Sequence, residues 1–278
     1  MAPIIRTVGL RKVYAVGKER VVALDNINIQ VEKGEFCCIV GQSGSGKSTL
    51  LNQLAGLEKP TRGQVFIGKH EISAMTENEL ASFRQAHLGF IFQSYNLLPS
   101  MTAAENVALP LMFKGMGRRK RLALARQELK NMGLASRMNH LPTEMSGGQQ
   151  QRVGIARAFV SKPKVIFADE PTGNLDSKTS RQVLLRMLEM SKKEQITFVM
   201  VTHEPSLAAC ADRIITILDG RVQSDVVQPD EVKEKKRAEL AEELKRIEAE
   251  EAEEKARKET ARAARKAIEA RDRTAANA

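Results

Sequence analysis

The sequence is poor in aromatic residues and in cysteine. It has no Trp, and aromatic residues make up 4% of its 278 positions, which argues against a stacking surface for single-stranded nucleic acid. Its three cysteines are too few for a disulfide framework, and two of them, Cys37 and Cys38, are adjacent inside an apolar run. We interpret them as reduced core thiols of a cytoplasmic protein.

Long hydrophobic runs are also missing. No apolar run approaches 18 residues, so no bilayer-spanning helix is predicted. The apolar part of the first ten residues, "MAPIIRTVGL", is too short and too soon followed by charge for a secretory signal. With 42% hydrophobic and 28% charged residues, the composition is that of a soluble globular protein of one or two domains.

The net charge of +10 is unevenly distributed. Residues 230–278 contain 14 basic and 14 acidic residues and are therefore neutral. The whole excess lies in residues 1–229, which contain 30 basic and 20 acidic residues. A basic globular part could face nucleic acid or an anionic membrane surface, and charge alone does not decide between them.

Residues 1–229 alternate β-branched runs with helical patterns, as βαβ units do. Nearly continuous apolar runs are typical of parallel strands buried on both faces. Such runs are "FCCIV" (36–40), "VIFA" (165–168) and "ITFVMV" (196–201). Residues 74–160 are predicted to be more helical, as an insertion into an α/β core. The turn "LDGR" at 218–221 predicts a closing hairpin.

After Pro229 the sequence is almost entirely Ala, Glu, Lys and Arg, without Gly or Pro until its end, which predicts one long charged helix. Residues 238–254 have eight acidic and two basic residues, whereas 255–273 have three acidic and eight basic. The apolar seam is too thin for a sustained coiled coil; it consists of Leu240, Leu244 and Ile247. Two interpretations stay open: a single solvated helix, or two tails paired antiparallel in a dimer.

The stretch "GQSGSGKST" (41–49), called the phosphate loop below, fits the pattern G-x-x-x-x-G-K-[ST] between an apolar strand and a helical run. Its glycines let backbone N–H groups turn inward around a β-phosphate, and the helix N-terminus adds a favourable potential. Lys47 is expected to neutralise phosphate oxygens, and Ser48 to ligate Mg²⁺. The predicted nucleotide-binding residues here are Gly41, Ser43, Gly44, Ser45, Gly46, Lys47, Ser48 and Thr49.

Two further stretches contain residues expected to act on the bound phosphate. "VIFADE" (165–170) is a strand that ends in two acids beside the expected phosphate site. Asp169 is expected to hold Mg²⁺ through water, and Glu170 to orient and polarise the attacking water. In "MSGGQQQRV", Ser146 precedes a helix that begins near Gly147, so its hydroxyl and the following N–H groups predict a second anion site.

These motifs, in this order and spacing, resemble the nucleotide-binding subunits of ABC transporters. The motifs are "GQSGSGKST", "MSGGQQQRV", "VIFADEPTGNLDS" and "VMVTHEP", and the similarity covers about residues 4–222. Successive spacings of 46, 53, 23 and 34 residues separate Lys47, Gln93, Ser146, Asp169 and His203. The resemblance implies that ATP and Mg²⁺ are the cofactors and that the protein is an ATPase.

The resemblance also implies the fold. We expect an α/β, ABC-type P-loop NTPase core with a mostly parallel sheet and an N-terminal antiparallel β part. A helical subdomain at about 95–160 is expected within a nucleotide-binding domain at 1–229. Residues 230–278 are expected to form a charged helical C-terminal extension, which departs from the usual short subunit.

Further site residues follow from the resemblance alone. Tyr14 is expected to stack on adenine, Gln93 to sense Mg²⁺ and water, and His203 to contact the γ-phosphate. The helix start is expected to face the γ-phosphate held by the other subunit, through Ser146, Gly147, Gly148 and Gln149. The loop across the subunit interface is expected to contain Asn174, Leu175 and Asp176. The implied metal site consists of Ser48, Gln93 and Asp169, and the implied catalytic set of Glu170, His203, Gln93 and Lys47.

The expected partners are a second copy of the chain and an integral-membrane permease. "NLLPSMTAAENVALPL" and "DEPTGNLDSKTS" resemble the macrolide-exporter and lipoprotein-release type of ABC ATPase. The expected location is the cytoplasmic face of the membrane, as a peripheral subunit, with residues near 93–110 passing motion to the permease. Residues 114–130 are interpreted as a solvated basic helix face, or as a contact with anionic lipid headgroups.

Two other functions are compatible with parts of this sequence. An ATPase of a complex that senses or resists antimicrobial peptides shares the same ATP chemistry, and the sequence does not separate it from export. A soluble ABC protein acting on DNA or ribosomes is disfavoured, because each motif occurs once and only about 100 residues separate phosphate loop and Ser146. No nucleic-acid partner is therefore expected.

Overall fold

The computed structural model describes residues 3–17 and 19–250. Within them the chain forms two sheets. The smaller sheet is antiparallel and has the order β2-β1-β5-β6, with β3 also paired to β1. Its strands are β1 (Ile5–Val16), β2 (Glu19–Ile27), β3 (Gln30–Val31), β5 (Arg62–Ile67) and β6 (His70–Glu71). This is the antiparallel N-terminal part that the family resemblance implies.

The larger sheet has six strands in the order β11-β10-β4-β9-β8-β7. All neighbours are parallel except β11, which closes the sheet as an antiparallel hairpin with β10. The strands are β4 (Phe36–Val40), β7 (Leu88–Ile91), β8 (Val165–Asp169), β9 (Thr197–Val201), β10 (Arg213–Leu218) and β11 (Arg221–Val227). The predicted α/β class, the three buried strands and the closing hairpin are confirmed.

The strand β7 lies inside the region that the sequence predicts to be helical. Its four residues, Leu88–Ile91, directly follow a helix and pair in parallel with β8 at the edge of the sheet. So short a run carries too few positions to show a strand period beside the helical pattern around it. The expectation that 74–160 is more helical holds for α2 to α5, and β7 is a strand within this region that it did not specify.

Seven helices join the strands, and an eighth follows them in the described part of the chain. They are α1 (Lys47–Leu54), α2 (Glu77–His87), α3 (Ala103–Phe113), α4 (Arg118–Asn131), α5 (Gly147–Phe159), α6 (Ser177–Glu194), α7 (Pro205–Ala208) and α8 at 230–250. Capping boxes set the starts of three of them, because a Thr or Ser hydroxyl accepts the N–H three residues on. The capping residues are Thr76, Thr102 and Ser146.

The core lies on both faces of the larger sheet. In β4, Phe36 and Cys38 point into the cluster shared with α3–α6, while Cys37 and Ile39 point into the cluster shared with α1 and the antiparallel sheet. Consecutive side chains of a strand face opposite sides, so burial on both faces requires a continuous apolar run. Burial raises the pKa of the Cys37 and Cys38 thiols, which keeps them protonated.

The helix α8 packs back onto its own chain within the described residues. Leu240 is buried in the core cluster, and Arg237 donates to the carbonyl of Cys210 and to Asp212. Further along, Glu243 pairs with Arg181 of α6 at 2.9 Å. Most side chains of 230–250 are exposed, as the interpretation of a solvated helix predicts, but Leu240 and Arg237 dock the helix on its own chain. The basic half expected at 255–273 lies outside the described residues.

None of the described helices combines the length and apolarity that a crossing of the bilayer requires.

Candidate functional site

The candidate site lies where three neighbouring strands of the larger sheet end. The strands β4, β9 and β8 are adjacent and parallel, so the segments after Val40, Val201 and Asp169 meet at one edge. This edge is where ligands bind in open α/β sheets. It therefore brings together the phosphate loop, the acids at 169 and 170, and His203.

Two glycines of the phosphate loop are required by close approach of other backbone. A Cβ on Gly41 would lie 2.2 Å from the carbonyl oxygen of Ile217. A Cβ on Gly46 would lie 2.5 Å from the carbonyl oxygen of Ala23, and Gly46 has φ +101° at the N-cap of α1. Side chains at either position would displace the loop from the sheet edge.

The loop presents donors that suit a polyphosphate. The hydroxyl of Ser45 is buried without a hydrogen-bond partner among the described residues, which is unusual for a buried polar atom. Lys47 is 6% exposed and donates from Nζ to the carbonyl of Gln42 at 2.7 Å. Ser43 and Gly44 lie exposed at the tip, and Thr49 lies one residue beyond Ser48 in α1. The residues present therefore fit a bound anion.

Ser48 and Asp169 form the pair expected for a divalent cation. The Ser48 hydroxyl donates to Oδ1 of Asp169 at 3.1 Å. Burial raises the pKa of Asp169, and the charge of Glu170 adds to this, while Ser48 and Lys47 act against it. A Mg²⁺ ion takes few protein oxygens and keeps phosphate and water oxygens. That suits this site, where the Ser48 hydroxyl and the Asp169 carboxylate supply two protein oxygens side by side.

Glu170 is held in a strained conformation beside His203. It has φ +42°, which is rare for a residue with a side chain. Its N–H donates to the carbonyl of Val201 at 3.0 Å, and its carboxylate lies 3.4 Å from Nδ1 of His203. The carboxylate is thus held beside His203, at the sheet edge that also carries the phosphate loop.

Gln93 lies against the turn that follows Glu170. A Cβ on Gly173 would lie 2.8 Å from Nε2 of Gln93 and 3.4 Å from Oε2 of Glu170, so glycine is what allows this approach. The side chain of Asn174 donates to the carbonyl of Gln93 at 3.1 Å. The structure therefore brings Gln93, Glu170 and Asn174 together.

The helix start at Ser146 is preorganised by local bonds. Ser146 is the N-cap of α5 and forms a capping box with Gln149. A Cβ on Gly147 would lie 2.8 Å from the Tyr95 hydroxyl, and one on Gly148 would lie 2.7 Å from Thr179. Packing against Tyr95 and Thr179 within the chain therefore also favours glycine at these two positions. The sequence interpretation gives approach to phosphate as the only reason for them.

Asp176 lies at the N-cap of α6 rather than in a free loop. Its carboxylate accepts from the N–H of Thr179 at 2.9 Å and from the Thr179 hydroxyl at 2.7 Å. These hydrogen bonds hold the pKa of Asp176 below its ordinary value. Asp176 therefore caps the N-terminus of α6. It directly follows Asn174 and Leu175 in the chain.

Tyr14 stands on β1 close to α1. Its hydroxyl donates to Oε2 of Glu58 at 2.6 Å, and Lys12 Nζ lies 5.1 Å from the ring centroid. Burial, followed by the bond to Glu58, raises the pKa of Tyr14, and an interaction with Thr49 acts against this. The ring is only partly buried, so part of it stays free beside the phosphate-loop helix.

Two residues that the sequence interpretation missed hold α5 to the site. Arg157 donates to the carbonyls of Tyr95 and Asn96, at 2.8 and 2.5 Å. Gln151 is fully buried and donates from Nε2 to the carbonyl of Pro171 at 2.6 Å. The sequence offers only a weak sign of Gln151: it is a polar residue four positions before Ile155, on the same, apolar face of the helix.

Comparison with known proteins identifies the family to which these motifs point. A family model described as ABC transporter matches residues 24–173. The lipoprotein-releasing system ATP-binding protein LolD of Geobacter metallireducens is 45% identical over 225 residues, 81% of this chain and 100% of that protein. The macrolide export ATP-binding/permease protein MacB of Rhodopirellula baltica is 43% identical over 81% of this chain and 33% of that protein.

A solved structure is similar along most of the same region. It is a dimeric, post-hydrolysis state of the ATP-binding cassette MJ0796 bound to ADP and Pi. The TM-score is 0.76 at 41% identity, and the similarity covers 80% of this chain and 98% of that one. Each of these three similarities therefore covers about four fifths of the present chain.

Proposed function

Because the chain belongs to the ABC transporter family and is an ATP-binding, ATP-hydrolysing subunit of it, we propose that two copies close on ATP and drive a separate membrane permease. The observation that carries this is the single sheet edge at which the phosphate loop, Asp169, Glu170 and His203 meet. We place the subunit at the cytoplasmic face of the membrane, as a peripheral component. The permease is proposed to be of the lipoprotein-release or macrolide-export type, in line with the names of the relatives.

Each side chain at the edge has a proposed role. Lys47 neutralises β- and γ-phosphate oxygens, and Ser48 and Asp169 hold Mg²⁺, the latter through water, with Gln93 nearby. Glu170 orients and polarises the attacking water, and His203 contacts the γ-phosphate. Bound ATP supplies the phosphoryl group that is transferred to water, a reaction that asks the protein mainly for positioning and for stabilisation of charge. Tyr14 is proposed to stack on the adenine ring.

The second half-site is proposed to act on the other copy. The N-terminus of α5 offers the Ser146 hydroxyl and free N–H groups, a favourable environment for an anion. In the dimer it would face the γ-phosphate held by the partner's phosphate loop, with Asp176 and its neighbours at the interface. The dimeric state of the similar cassette supports this arrangement. We assign residues 1–229 to the nucleotide-binding domain and 230–278 to an extension of it.

The permease is proposed to dock in an apolar groove beside the helical part. The groove has a volume of about 640 Å³ and is lined by Leu57, Leu88, Phe90, Phe92, Leu109 and Phe113, among others. Phe113 is 67% exposed, which is unusual for so large an apolar side chain. Phe92 precedes Gln93 in the chain, so an occupant of the groove is one residue from the site.

Phe113→Asp is expected to lower recovery of the permease strongly. An aromatic anchor at the centre of an interface contributes enough that its replacement weakens binding at least roughly tenfold. Tagged protein is incubated with detergent-solubilised membranes of the source organism, and membrane-spanning proteins are identified by mass spectrometry. Val227→Asp, at an apolar residue of similar exposure, 62%, is the control. Equal recovery of the same membrane protein by wild type and Phe113→Asp would contradict this docking site.

The exposed basic residues at the start of α4 are proposed to contact anionic lipid beside the permease. Arg118, Arg119 and Lys120 are exposed, whereas Arg121 is partly buried and donates to the carbonyl of Met116. Reversing the three exposed charges to Glu is expected to weaken binding to anionic liposomes at least roughly tenfold, since each contributes about 1 kcal/mol. Reversal of Arg20, Arg62 and Lys69 is the control with equal charge. Unchanged flotation with liposomes would favour a merely solvated helix face.

A further inference from the structure

Gln151 connects the two half-sites within one chain. It lies on α5, whose N-terminus is Ser146, and its Nε2 donates to the carbonyl of Pro171, the residue after Glu170. We infer that Gln151 is a positioning residue for hydrolysis: it holds the turn that carries Glu170 to the helix that carries Ser146. The inference rests on the proposed function, since it assigns Glu170 to the attacking water.

Packing alone gives a poor account of a glutamine at this position. Gln151 is 0% exposed, and its Oε1 is buried without a hydrogen-bond partner among the described residues. A buried amide oxygen without a partner is destabilising, and an apolar side chain of similar size would avoid it. The gain that offsets this cost is the short bond, 2.6 Å, to a backbone carbonyl in the catalytic turn.

The turn needs such a restraint because its backbone is strained. Glu170 has φ +42°, and its carbonyl accepts from the N–H of Gly173 at 3.1 Å. Strained residues keep their conformation only where the surroundings hold them. Pro171 lies between these two residues, and Gln151 is the α5 side chain bonded to its carbonyl.

A second bond ties the same helix to the other segment at the site. Arg157, six residues after Gln151 on α5, binds the carbonyls of Tyr95 and Asn96, which also have positive φ. Asn174 in turn binds the carbonyl of Gln93. A displacement of α5, caused by the partner's nucleotide at Ser146, is therefore passed to both Gln93 and Glu170. Hydrolysis would then respond to engagement of the partner through Gln151.

Gln151→Leu tests this connection. Leu has a similar size, removes the unpartnered oxygen and cannot donate to Pro171. The expected result is a kcat lowered roughly tenfold to hundredfold, because a small misplacement of a catalytic group is enough for such a loss. The KM for ATP is expected to change less than about threefold, because the phosphate loop is untouched, and Tm to stay within about 4 °C of wild type.

Gln228→Leu is the matched control. Gln228 also donates from Nε2 to backbone carbonyls, those of Ala209 and Ala211, but away from the site. It is expected to keep the wild-type kcat. If Gln151→Leu keeps the wild-type kcat while wild type hydrolyses ATP, or if both variants lose kcat only in parallel with Tm, the inference is overturned. Absence of ATP hydrolysis by wild type would instead count against the proposed function itself.

Gln151→Glu gives a second test that does not depend on the Leu variant folding. Its carboxylate cannot donate to Pro171, but its protonated form can, and burial raises the pKa of a carboxyl group. The kcat of Gln151→Glu, divided by that of wild type at the same pH, is expected to be low at pH 8 and to rise severalfold as the pH falls toward 6. A flat ratio would contradict the role of the donated bond.

Discussion

Glu170→Gln is expected to lower the rate of ATP hydrolysis roughly 10³-fold while ATP binding remains. The amide keeps the size of the carboxylate but cannot accept a proton from the attacking water, and a positioned general base contributes about 10²- to 10⁴-fold. The strained turn is held through backbone atoms of Glu170, at Val201 and Gly173, so the substitution leaves those bonds in place. Phosphate release at saturating ATP and Mg²⁺ measures the effect.

The control for this loss is Glu204→Gln. Glu204 follows His203 at the same sheet edge, but it has no proposed contact with the water or the phosphate. It is expected to keep activity within about threefold, since Glu204 is partly exposed and an isosteric substitution without such a contact changes little. If Glu170→Gln kept a third or more of the wild-type rate, the assignment of Glu170 would be wrong.

Lys47→Ala has the second large expected effect, on nucleotide binding. Lys47 is buried at the base of the phosphate loop, where its ammonium already bonds the loop carbonyl of Gln42. Its removal takes away the cation expected at the β- and γ-phosphates. A hydrogen bond to a charged group contributes about 1.5–3 kcal/mol, so the Kd for ATP is expected to rise roughly 10- to 150-fold.

Titration with a fluorescent ATP analogue, together with Tm, measures this effect. Lys33→Ala removes an exposed lysine from the turn before β4 and is the control. It is expected to leave the Kd unchanged within about twofold, because an exposed charge away from the ligand is screened. An unchanged Kd for Lys47→Ala, in a protein that remains folded, would contradict binding of phosphate at this loop.

The sequence predicts those parts of the site whose residues are contiguous. The phosphate loop and the acids after "VIFA" each combine a strand, a turn and the reactive residues within one short contiguous stretch, so local patterns contain the whole feature. The strands β4, β8 and β9 are predictable for a similar reason, since burial on both faces leaves a continuous apolar run.

What the sequence does not predict depends on contacts between distant segments. Gln151 meets Pro171 across 20 residues, and Arg157 meets Asn96 across 61. A glutamine and an arginine on a helix carry no local sign of which carbonyl they bind. Gly148 is likewise explained only when Thr179 is seen beside it. Such contacts are set by how α5 packs on the turn and on α6.

The helix α8 shows the same limit. Its composition predicts a helix, and residues 230–250 are helical. Its docking follows from single residues, Leu240 in the core and Arg237 at Asp212, among many exposed charges. Burial alone would raise the pKa of Asp212, but Lys233, the N–H of Phe36 and Arg237 bring it below its ordinary value. Glu243, in the acidic stretch that the tail-pairing hypothesis uses, already pairs with Arg181 of the chain's own α6, which weakens that hypothesis.

The central claim is that ATP joins two copies through the phosphate loop of one and Ser146 of the other. Light scattering on Glu170→Gln with ATP and Mg²⁺ tests it most directly. The predicted result is a species of twice the chain mass of 30.8 kDa, which is absent with ADP and is lost when Ser146→Glu places a like charge against the phosphate. A mass of one chain with ATP, or a dimer that persists with Ser146→Glu, would contradict the account.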